Sequence, residues 1–174
     1  MGIKLSGKKV KMRVFSQSHI TEKYIGWLND PRVVKYSNQR FIKHTEKSCQ
    51  IYLKSFAKTN NLFLAIEEKK TDRFCGTMTC YLNEFHGTAD LGLMIGDLAV
   101  WGKGYGLDAW VLMIDYLFNQ GFVRKVTGGT LALNIGMIKV MVNSGMTREA
   151  IRSKQEIFDD KPVDIHLYSK FINE

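Results

Sequence analysis

Residues 101–109 read W-G-K-G-Y-G-L-D-A and contain the densest run of glycines in the chain. Its three glycines alternate with other residues, and ten of the 15 glycines in the chain lie between Gly92 and Gly145. The apolar segment Ala89–Gly96 precedes the stretch, and a run with helical periodicity follows it. A glycine-rich turn between a strand and a helix directs backbone N–H groups toward an anion, and Lys103 adds a positive charge. The stretch therefore predicts an anion-binding site at a helix amino terminus.

Two common nucleotide-binding loops do not fit this stretch. A Walker loop requires Ser or Thr after its lysine, whereas Gly104 follows Lys103. The dinucleotide-binding fingerprint requires glycine at the position of Leu107 and an acidic residue at the end of the next strand, near residues 124–126. Neither requirement is met, so the sequence excludes both nucleotide-binding motifs.

Hydrophobic periodicity predicts a mixed α/β sheet, because strands and helices alternate along the chain. Apolar runs predict strands at Val10–Phe15, Leu62–Glu67, Arg73–Tyr81, Ala89–Gly96, Lys125–Leu131, Met146–Phe158 and Val163–Phe171. Helical spacing predicts helices around Ile20–Leu28, at Thr45–Lys58, around Leu107–Leu117 and at Asn134–Asn143. We expect Ser18 to cap the first helix and Asp30-Pro31 to end it.

Length and composition indicate one globular domain that spans residues 1–174, at 19.9 kDa with 45% hydrophobic and 24% charged residues. No apolar run approaches the roughly 20 residues that cross a bilayer, and no hydrophobic stretch follows the first lysines, so we expect a cytoplasmic protein without a membrane partner. Three cysteines suit a reducing compartment. Cys75 and Cys80, five residues apart, are expected on opposite faces of one strand, and no metal site is predicted.

The positive charge is concentrated in the first third of the chain. Residues 1–60 contain 13 Lys and Arg but 3 Asp and Glu, a balance of +10, while the remaining residues carry −2 of the total of +8. This excess indicates either a solvated basic surface or a region that meets an anion. The basic residues Lys4, Lys8, Lys9, Lys11 and Arg13 have no interleaved aromatic residues for base stacking, so nucleic acid is the weakest of the possible partners.

The order of strand, x-x-G-x-G turn and helix resembles the GNAT superfamily of acyl-CoA-dependent N-acyltransferases. Residues 101–109 look like the W-G-K-G-Y-x-T-E-A signature of its ribosomal-protein acetyltransferase-like branch. Asn134 followed by Gly145-Met146 is similar to the N…G-F signature of that branch, and W-L-N-D-P-R-V at 27–33 is similar to its first-helix ending. The resemblance implies a mostly antiparallel sheet of about six to seven strands flanked by about four helices, with a splayed strand pair.

The resemblance also implies acetyl-CoA as the acetyl donor and assigns its binding residues. The main chain of Met94, Ile95 and Gly96 would contact the pantetheine arm and polarise the thioester carbonyl, as an oxyanion hole does. Asn134 would bind near the splayed strands. The pyrophosphate would be held by the glycine-rich turn, namely Gly102, Lys103, Gly104, Tyr105, Gly106 and Leu107.

Transfer to an amine needs a neutral amine, so a base or water relay is expected. Asp90 is the first candidate, because it shares its strand face with Met94 and Gly96. The alternative is an ordinary ion pair at the start of a strand. The reserve candidates are Glu84, His86 and Asp97.

Two positions depart from the family pattern. Met141 stands where many relatives have a general-acid tyrosine, and Gly129 stands where one branch has a carboxylate. Tyr81 or Tyr105 could replace the missing acid, and a thiol of pKa near 8.5 leaves without one.

The acceptor is expected to contact the first two helices, where the basic residues are frequent. We therefore expect an anionic amine, for example a nucleotide-linked amino sugar. A protein amino terminus is the second enzymatic alternative, and a non-catalytic acyl-CoA-binding module is an alternative of another class. A homodimer is compatible with all of them.

Overall fold

The computed structural model describes residues 3–173, which fold into an eight-stranded sheet flanked by four α-helices. The sheet order is β1-β2-β3-β4-β5-β6-β8-β7, and every neighbouring pair is antiparallel except β5 and β6. The strands are β1 (Lys4–Ser6), β2 (Val10–Val14), β3 (Leu62–Glu68), β4 (Phe74–Asn83), β5 (Thr88–Ile95), β6 (Lys125–Leu131), β7 (Thr147–Phe158) and β8 (Lys161–Phe171). The helices are α1 (Glu22–Leu28), α2 (Glu46–Ser55), α3 (Tyr105–Asn119) and α4 (Ile135–Asn143). In residues 3–173 no helix is long and apolar enough to span a membrane.

The mixed fold and the predicted element order are confirmed, with one extra strand and one misplaced helix start. The extra strand is β1, three residues long, and it pairs with β2 at the edge of the sheet. The prediction that Ser18 caps the first helix is wrong. Thr21 is the N-cap, and its hydroxyl accepts the N–H of Tyr24 at 3.3 Å, while Ser18 lies in a 3-10 turn before it.

Two hydrophobic layers cover the two faces of the sheet. One face packs against α3 and α4, and the buried residues of this layer include Met12 and Met78 of the sheet and Trp110 of α3. The other face packs against α1 and α2 around Phe15 and Trp27. The sheet is therefore enclosed on both faces near its centre, where β4 and β5 lie.

A β-bulge at Cys75 shifts the register between β3 and β4. Ile66 pairs with Gly76 and Glu67 pairs with Phe74, so Cys75 is the extra residue. Cys75 and Cys80 consequently both belong to the core cluster beneath α3, and the prediction that they face opposite sides is wrong. The displaced Cys75 carbonyl accepts the N–H groups of Gly96 at 3.0 Å and Asp97 at 3.1 Å, which fixes the end of β5.

The parallel pair β5 and β6 separates after a short contact. Three register pairs join the strands, and Asp90 with Thr127 is the last of them. Beyond that pair β5 continues to Ile95 alongside β4, while β6 continues to Leu131 alongside β8. The separation leaves one edge of β5 without a strand partner, as expected for a splayed pair.

Candidate active site

The glycine-rich turn places unused N–H groups at the amino terminus of α3. Gly102 has a φ of 72° and Gly104, the N-cap, has a φ of 80°, a conformation that glycine adopts without strain. The N–H groups of Gly102, of Gly104 and of the first three residues of α3, Tyr105 to Leu107, have no hydrogen-bond acceptor within residues 3–173. The Lys103 N–H differs, because it donates to the Val100 carbonyl at 3.2 Å. Five free donors at the positive end of a helix form a cradle for an anion.

A cavity of about 1380 Å³ connects this cradle to the separated strands and to the helices α1 and α2. Its walls include Gly104 and Leu107 of the turn, Leu91 to Ile95 of β5 and Gly129 of β6. Asn134 also lines it, but both polar atoms of its side chain are bonded within the protein. Its Nδ2 donates to Thr130 Oγ1 at 3.0 Å and its Oδ1 accepts the Met137 N–H at 3.2 Å.

The three residues assigned to the end of β5 differ in what they offer a ligand. Met94 and Ile95 line the cavity, although the Ile95 carbonyl accepts Trp101 Nε1 at 2.7 Å. Gly96 does not offer its N–H, which is bonded to Cys75. A Cβ at Gly96 would lie 2.1 Å from the Trp27 ring, so close packing is what requires glycine there. The Gly96 N–H is therefore not free for the pantetheine arm, and a contact through the rest of the Gly96 main chain stays a prediction.

Asp90 lies where β5 and β6 separate, and it is exposed; Leu91, the next residue of β5, lines the cavity. Its carboxylate accepts the Thr127 hydroxyl at 2.6 Å, and it faces Tyr81 across the ladder with β4. Gly92, two residues along on the same face, lines the cavity. Loss of solvent around the carboxyl raises the pKa of Asp90, and the hydrogen bond from Thr127 acts in the opposite direction.

The three reserve candidates lie elsewhere. Glu84 accepts Asn60 Nδ2 at 2.6 Å, and both Glu84 and His86 are exposed in the turn after β4, outside the cavity walls. Asp97 is buried behind the end of β5 and is bonded to Lys23 at 3.2 Å. Burial alone would raise the pKa of Asp97, but the Ala99 N–H and the Lys23 charge outweigh it and lower that pKa. A carboxylate held in this way is a poor proton acceptor.

The proposed replacements for the missing tyrosine also differ. Met141 is fully buried, and its sulfur lies 3.5 Å from where a Cβ on Gly128 would be, so this position belongs to the core. The Tyr105 hydroxyl donates to Glu68, which raises the pKa of Tyr105, and Tyr105 also lines the cavity. Tyr81 is half-exposed, and its hydroxyl lies 2.8 Å from that of Tyr52.

Tyr52 is a cavity residue whose hydrogen-bond partner the sequence did not reveal. It lines the cavity from α2 and is 39% exposed, so it is not a core residue. Its place in the apolar stripe of α2, with Cys49 and Phe56, is typical of core packing. Only the pairing of α2 with β4 shows that its hydroxyl meets Tyr81 and that the ring borders the site.

The outer wall of the cavity is the segment between α1 and α2. The Asn29 side chain accepts the His44 N–H at 2.9 Å and donates to the His44 carbonyl at 2.9 Å, which holds the two ends of the segment together. His44 lines the cavity with a buried Nε2 for which residues 3–173 supply no partner. Within the same segment, four residues before His44, Arg40 donates to the Ile157 carbonyl at 3.1 Å and so attaches the segment to β7.

Charged residues of the cavity wall are mostly basic. Arg32, Lys35 and Lys139 line it. Among the lining residues that the structure describes, Glu156 carries the one carboxylate. Arg32 pairs with Asp30 at 2.6 Å, and Glu156 lies 3.8 Å from Arg40. Side chains capable of metal binding do not cluster in threes anywhere in the part of the chain that the structure describes.

The family model described as the acetyltransferase (GNAT) domain matches residues 9–147. The Probable N-acetyltransferase YjcK of Bacillus subtilis (strain 168) is 27% identical over 105 residues, which is 59% of this chain and 58% of that protein. The match therefore spans under two thirds of the relative's length.

Two solved structures share the fold at low sequence identity. Spermidine N-acetyltransferase from Vibrio cholerae, in complex with CoA and spermine, has a TM-score of 0.85 at 12% identity and covers 95% of this chain and 96% of its own. The Microcin C7 self immunity acetyltransferase MccE, in complex with acetyl-CoA and AMP, has a TM-score of 0.80 at 17% identity and covers 94% of this chain and 93% of its own.

Proposed function

The chain belongs to the GNAT acetyltransferase family, and we propose that it is an N-acetyltransferase that moves an acetyl group from acetyl-CoA to a primary amine. The observation that carries the proposal is the continuity of one cavity from the free N–H groups of α3 to the open edge of β5. A diphosphate suits the first feature and an extended amide-containing arm suits the second. Acetyl-CoA joins both chemical groups in one molecule and supplies the activated acetyl group.

The part of the site that binds the acetyl donor, acetyl-CoA, would use backbone groups. The N–H groups of Gly104 and of the first turn of α3 would hold the diphosphate, and the free edge of β5 at Met94 and Ile95 would bind the pantetheine arm. The Gly96 N–H would take no part in this, because it donates to the Cys75 carbonyl. N–H groups fixed in advance along β5 would favour negative charge on the acyl oxygen.

Asp90 would act on the amine that accepts the acetyl group. Its carboxylate lies at the separation of β5 and β6, and its raised pKa makes it a better proton acceptor than an ordinary aspartate. It would take the amine proton directly or through water. A fixed acid is not required for the leaving thiolate, which agrees with the buried position of Met141.

We further propose an acceptor that carries negative charge near its amine. Support comes from the cavity wall, where Lys35 and Lys139 have no carboxylate partner among residues 3–173 and Glu156 is approached by Arg40. An acidic or phosphate-bearing amine would match this surface, whereas a polyamine would meet like charge. MccE was solved with AMP and the spermidine enzyme with spermine, so proteins of this fold bind ligands of either charge.

The test is a release assay for free CoA thiol with purified protein, acetyl-CoA and a panel of amines. The panel contains nucleotide-linked amino sugars, neutral peptides with free amino termini, and polyamines. We expect turnover to be fastest with the anionic amines. Preference for peptides would favour amino-terminal protein acetylation, and preference for polyamines would contradict the anionic acceptor. Binding of acetyl-CoA without thiol release from any amine would favour a non-catalytic module.

A further inference from the structure

The turn between β1 and β2 is fastened to the first turn of α3. The Asp108 carboxylate accepts three successive N–H groups of that turn, from Lys8 at 3.1 Å, Lys9 at 2.7 Å and Val10 at 2.9 Å. A Cβ on Gly7 would lie 2.5 Å from Asp108 Oδ2, so the turn fits closely over the carboxylate. The position of the turn is therefore set by the helix whose amino terminus forms the anion cradle.

This attachment places the Lys9 ammonium group beside the cradle. Lys9 Nζ donates to the Lys103 carbonyl at 2.5 Å and lies 3.2 Å from where a Cβ on Gly104 would be. One of its three N–H groups is used by that carbonyl, which leaves two donors. Lys9 is exposed, so a ligand can reach these donors from solvent.

Two lysines, Lys9 and Lys103, lie at the amino terminus of α3. Lys9 and Lys103 both lie at the positive end of α3, where the helix dipole disfavours cations. Two carboxylates lie nearby: Asp108 accepts the hairpin N–H groups, and Glu68 accepts the hydroxyls of Thr71 and Tyr105 and interacts with the charges of Arg73 and Lys103. Two cations and five free N–H groups together favour a ligand with more than one negative charge.

We propose that Lys9 is a direct ligand of the donor diphosphate, so that the amino-terminal hairpin forms part of the donor site. This inference rests on the proposed function, because it takes acetyl-CoA as the ligand of the α3 cradle. Lys9 would bond one phosphoryl oxygen while the backbone of Gly104 and the first turn of α3 bonds the others. Part of the positive charge of the first third of the chain then serves the donor and not the acceptor.

The experiment compares Lys9→Met with Lys11→Met by calorimetric titration. Methionine keeps the aliphatic stem and removes the charge, and the Lys9 N–H that bonds Asp108 is retained. Lys11 lies on the same hairpin and pairs with Asp72, so its substitution removes the same charge outside the cradle. The probes are CoA, ADP and pantetheine, and thermal unfolding verifies that both variants fold.

We expect Lys9→Met to weaken CoA and ADP binding about tenfold, in keeping with the loss of one hydrogen bond to a charged group, and to leave pantetheine binding unchanged. Lys11→Met should change none of the three by more than about twofold, and Lys9→Arg should restore most of the CoA affinity. Equal effects of the two methionine variants, or an equal loss for pantetheine, would overturn the role of Lys9. Failure of the unmodified protein to bind CoA would instead overturn the proposed function, and this inference with it.

Discussion

The Asp90 carboxylate accepts a 2.6 Å hydrogen bond from the Thr127 hydroxyl at the last position where β5 and β6 are paired. One residue beyond this bond the two strands part and the cavity begins at Leu91. The bond thus holds a carboxylate at the start of the separation. Loss of solvent raises the pKa of Asp90, whereas the hydrogen bond from Thr127 lowers it. Thr127 therefore affects how readily Asp90 takes a proton.

Replacement of Asp90 by Asn should lower kcat about 100-fold, the usual effect of removing a general base. Binding of CoA should remain unchanged, because Asp90 is not among the residues that line the cavity at the glycine-rich turn or along β5. The measurement is thiol release across a pH series together with calorimetric titration of CoA. In the variant the remaining rate should rise steadily with pH, because only amine that is already neutral can react.

Thr127→Val is the matched variant for this prediction. Loss of the hydroxyl removes the interaction that lowers the Asp90 pKa, so that pKa rises further and the acidic limb of the rate profile moves to higher pH. A Thr127→Val profile that coincides with the unmodified one, or an Asp90→Asn variant with full activity, would show that Asp90 is not the base.

Substitution of Gly104 by Ala should cost stability and CoA affinity together. A non-glycine residue at its φ of 80° costs about 1 kcal/mol, and the added Cβ would stand 3.2 Å from Lys9 Nζ inside the cradle. Gly121→Ala is the control, since Gly121 has a φ of 79° with nothing within 4 Å and follows the other end of α3. Chemical denaturation should show similar losses for both, whereas only Gly104→Ala should weaken CoA binding. Equal CoA affinities would count against the cradle.

Asn29→Ala should act on the acceptor and not on the donor. The Asn29 side chain bonds both backbone groups of His44, and His44 lines the outer wall of the cavity. Removal of the amide should loosen this wall and raise the acceptor KM several-fold, with little change in CoA affinity. Initial rates with varied acceptor at saturating acetyl-CoA measure the effect. A change in CoA affinity with unchanged acceptor KM would refute this division of the cavity.

His19 should make stability depend on pH in the mildly acidic range. Its Nδ1 accepts the Ser16 N–H at 2.9 Å, which holds the neutral ring with its proton on Nε2. Burial, with the charge of Arg13, lowers the pKa of His19 below its usual value of 6.5. Below that value the unfolded chain binds the additional proton, so the free energy of unfolding falls as pH decreases from 6.5 toward the lowered pKa.

Urea denaturation at pH 7 and pH 5.5 measures this dependence, with His19→Gln as the comparison. The unmodified protein should lose more stability between the two pH values than the variant does. The same loss in both proteins would mean that other groups account for the pH dependence.

Local sequence patterns predicted the features that depend on near neighbours along the chain. The glycines of residues 102–106 require positive φ or close approach within one turn, and the periodicity of α3 follows directly, so the cradle could be predicted. The capping of α1 could not, because Ser18 and Thr21 are both good N-caps. Only the 3-10 turn that contains Ser18 decides between them.

Sequence periodicity could not predict the features that depend on how the strands pair. The bulge at Cys75 arises from the register of β3 and β4, and it gives the Gly96 N–H an acceptor that no local pattern indicates. Tyr52 shows the same limit, since its hydroxyl partner Tyr81 lies 29 residues away on another element. The attachment of Lys9 beside Gly104 likewise requires the contact of Asp108 with the hairpin.

Titration of isotopically labelled protein with CoA, followed through its backbone amide resonances, tests the central claim most directly. The account predicts saturable shifts at millimolar CoA or below that are largest for the N–H groups of Gly102, Gly104 and the first turn of α3. Smaller shifts should follow along the free edge of β5, and the Gly96 resonance should stay nearly fixed. A spectrum that CoA leaves unchanged, or shifts confined to residues remote from α3 and β5, would contradict the account.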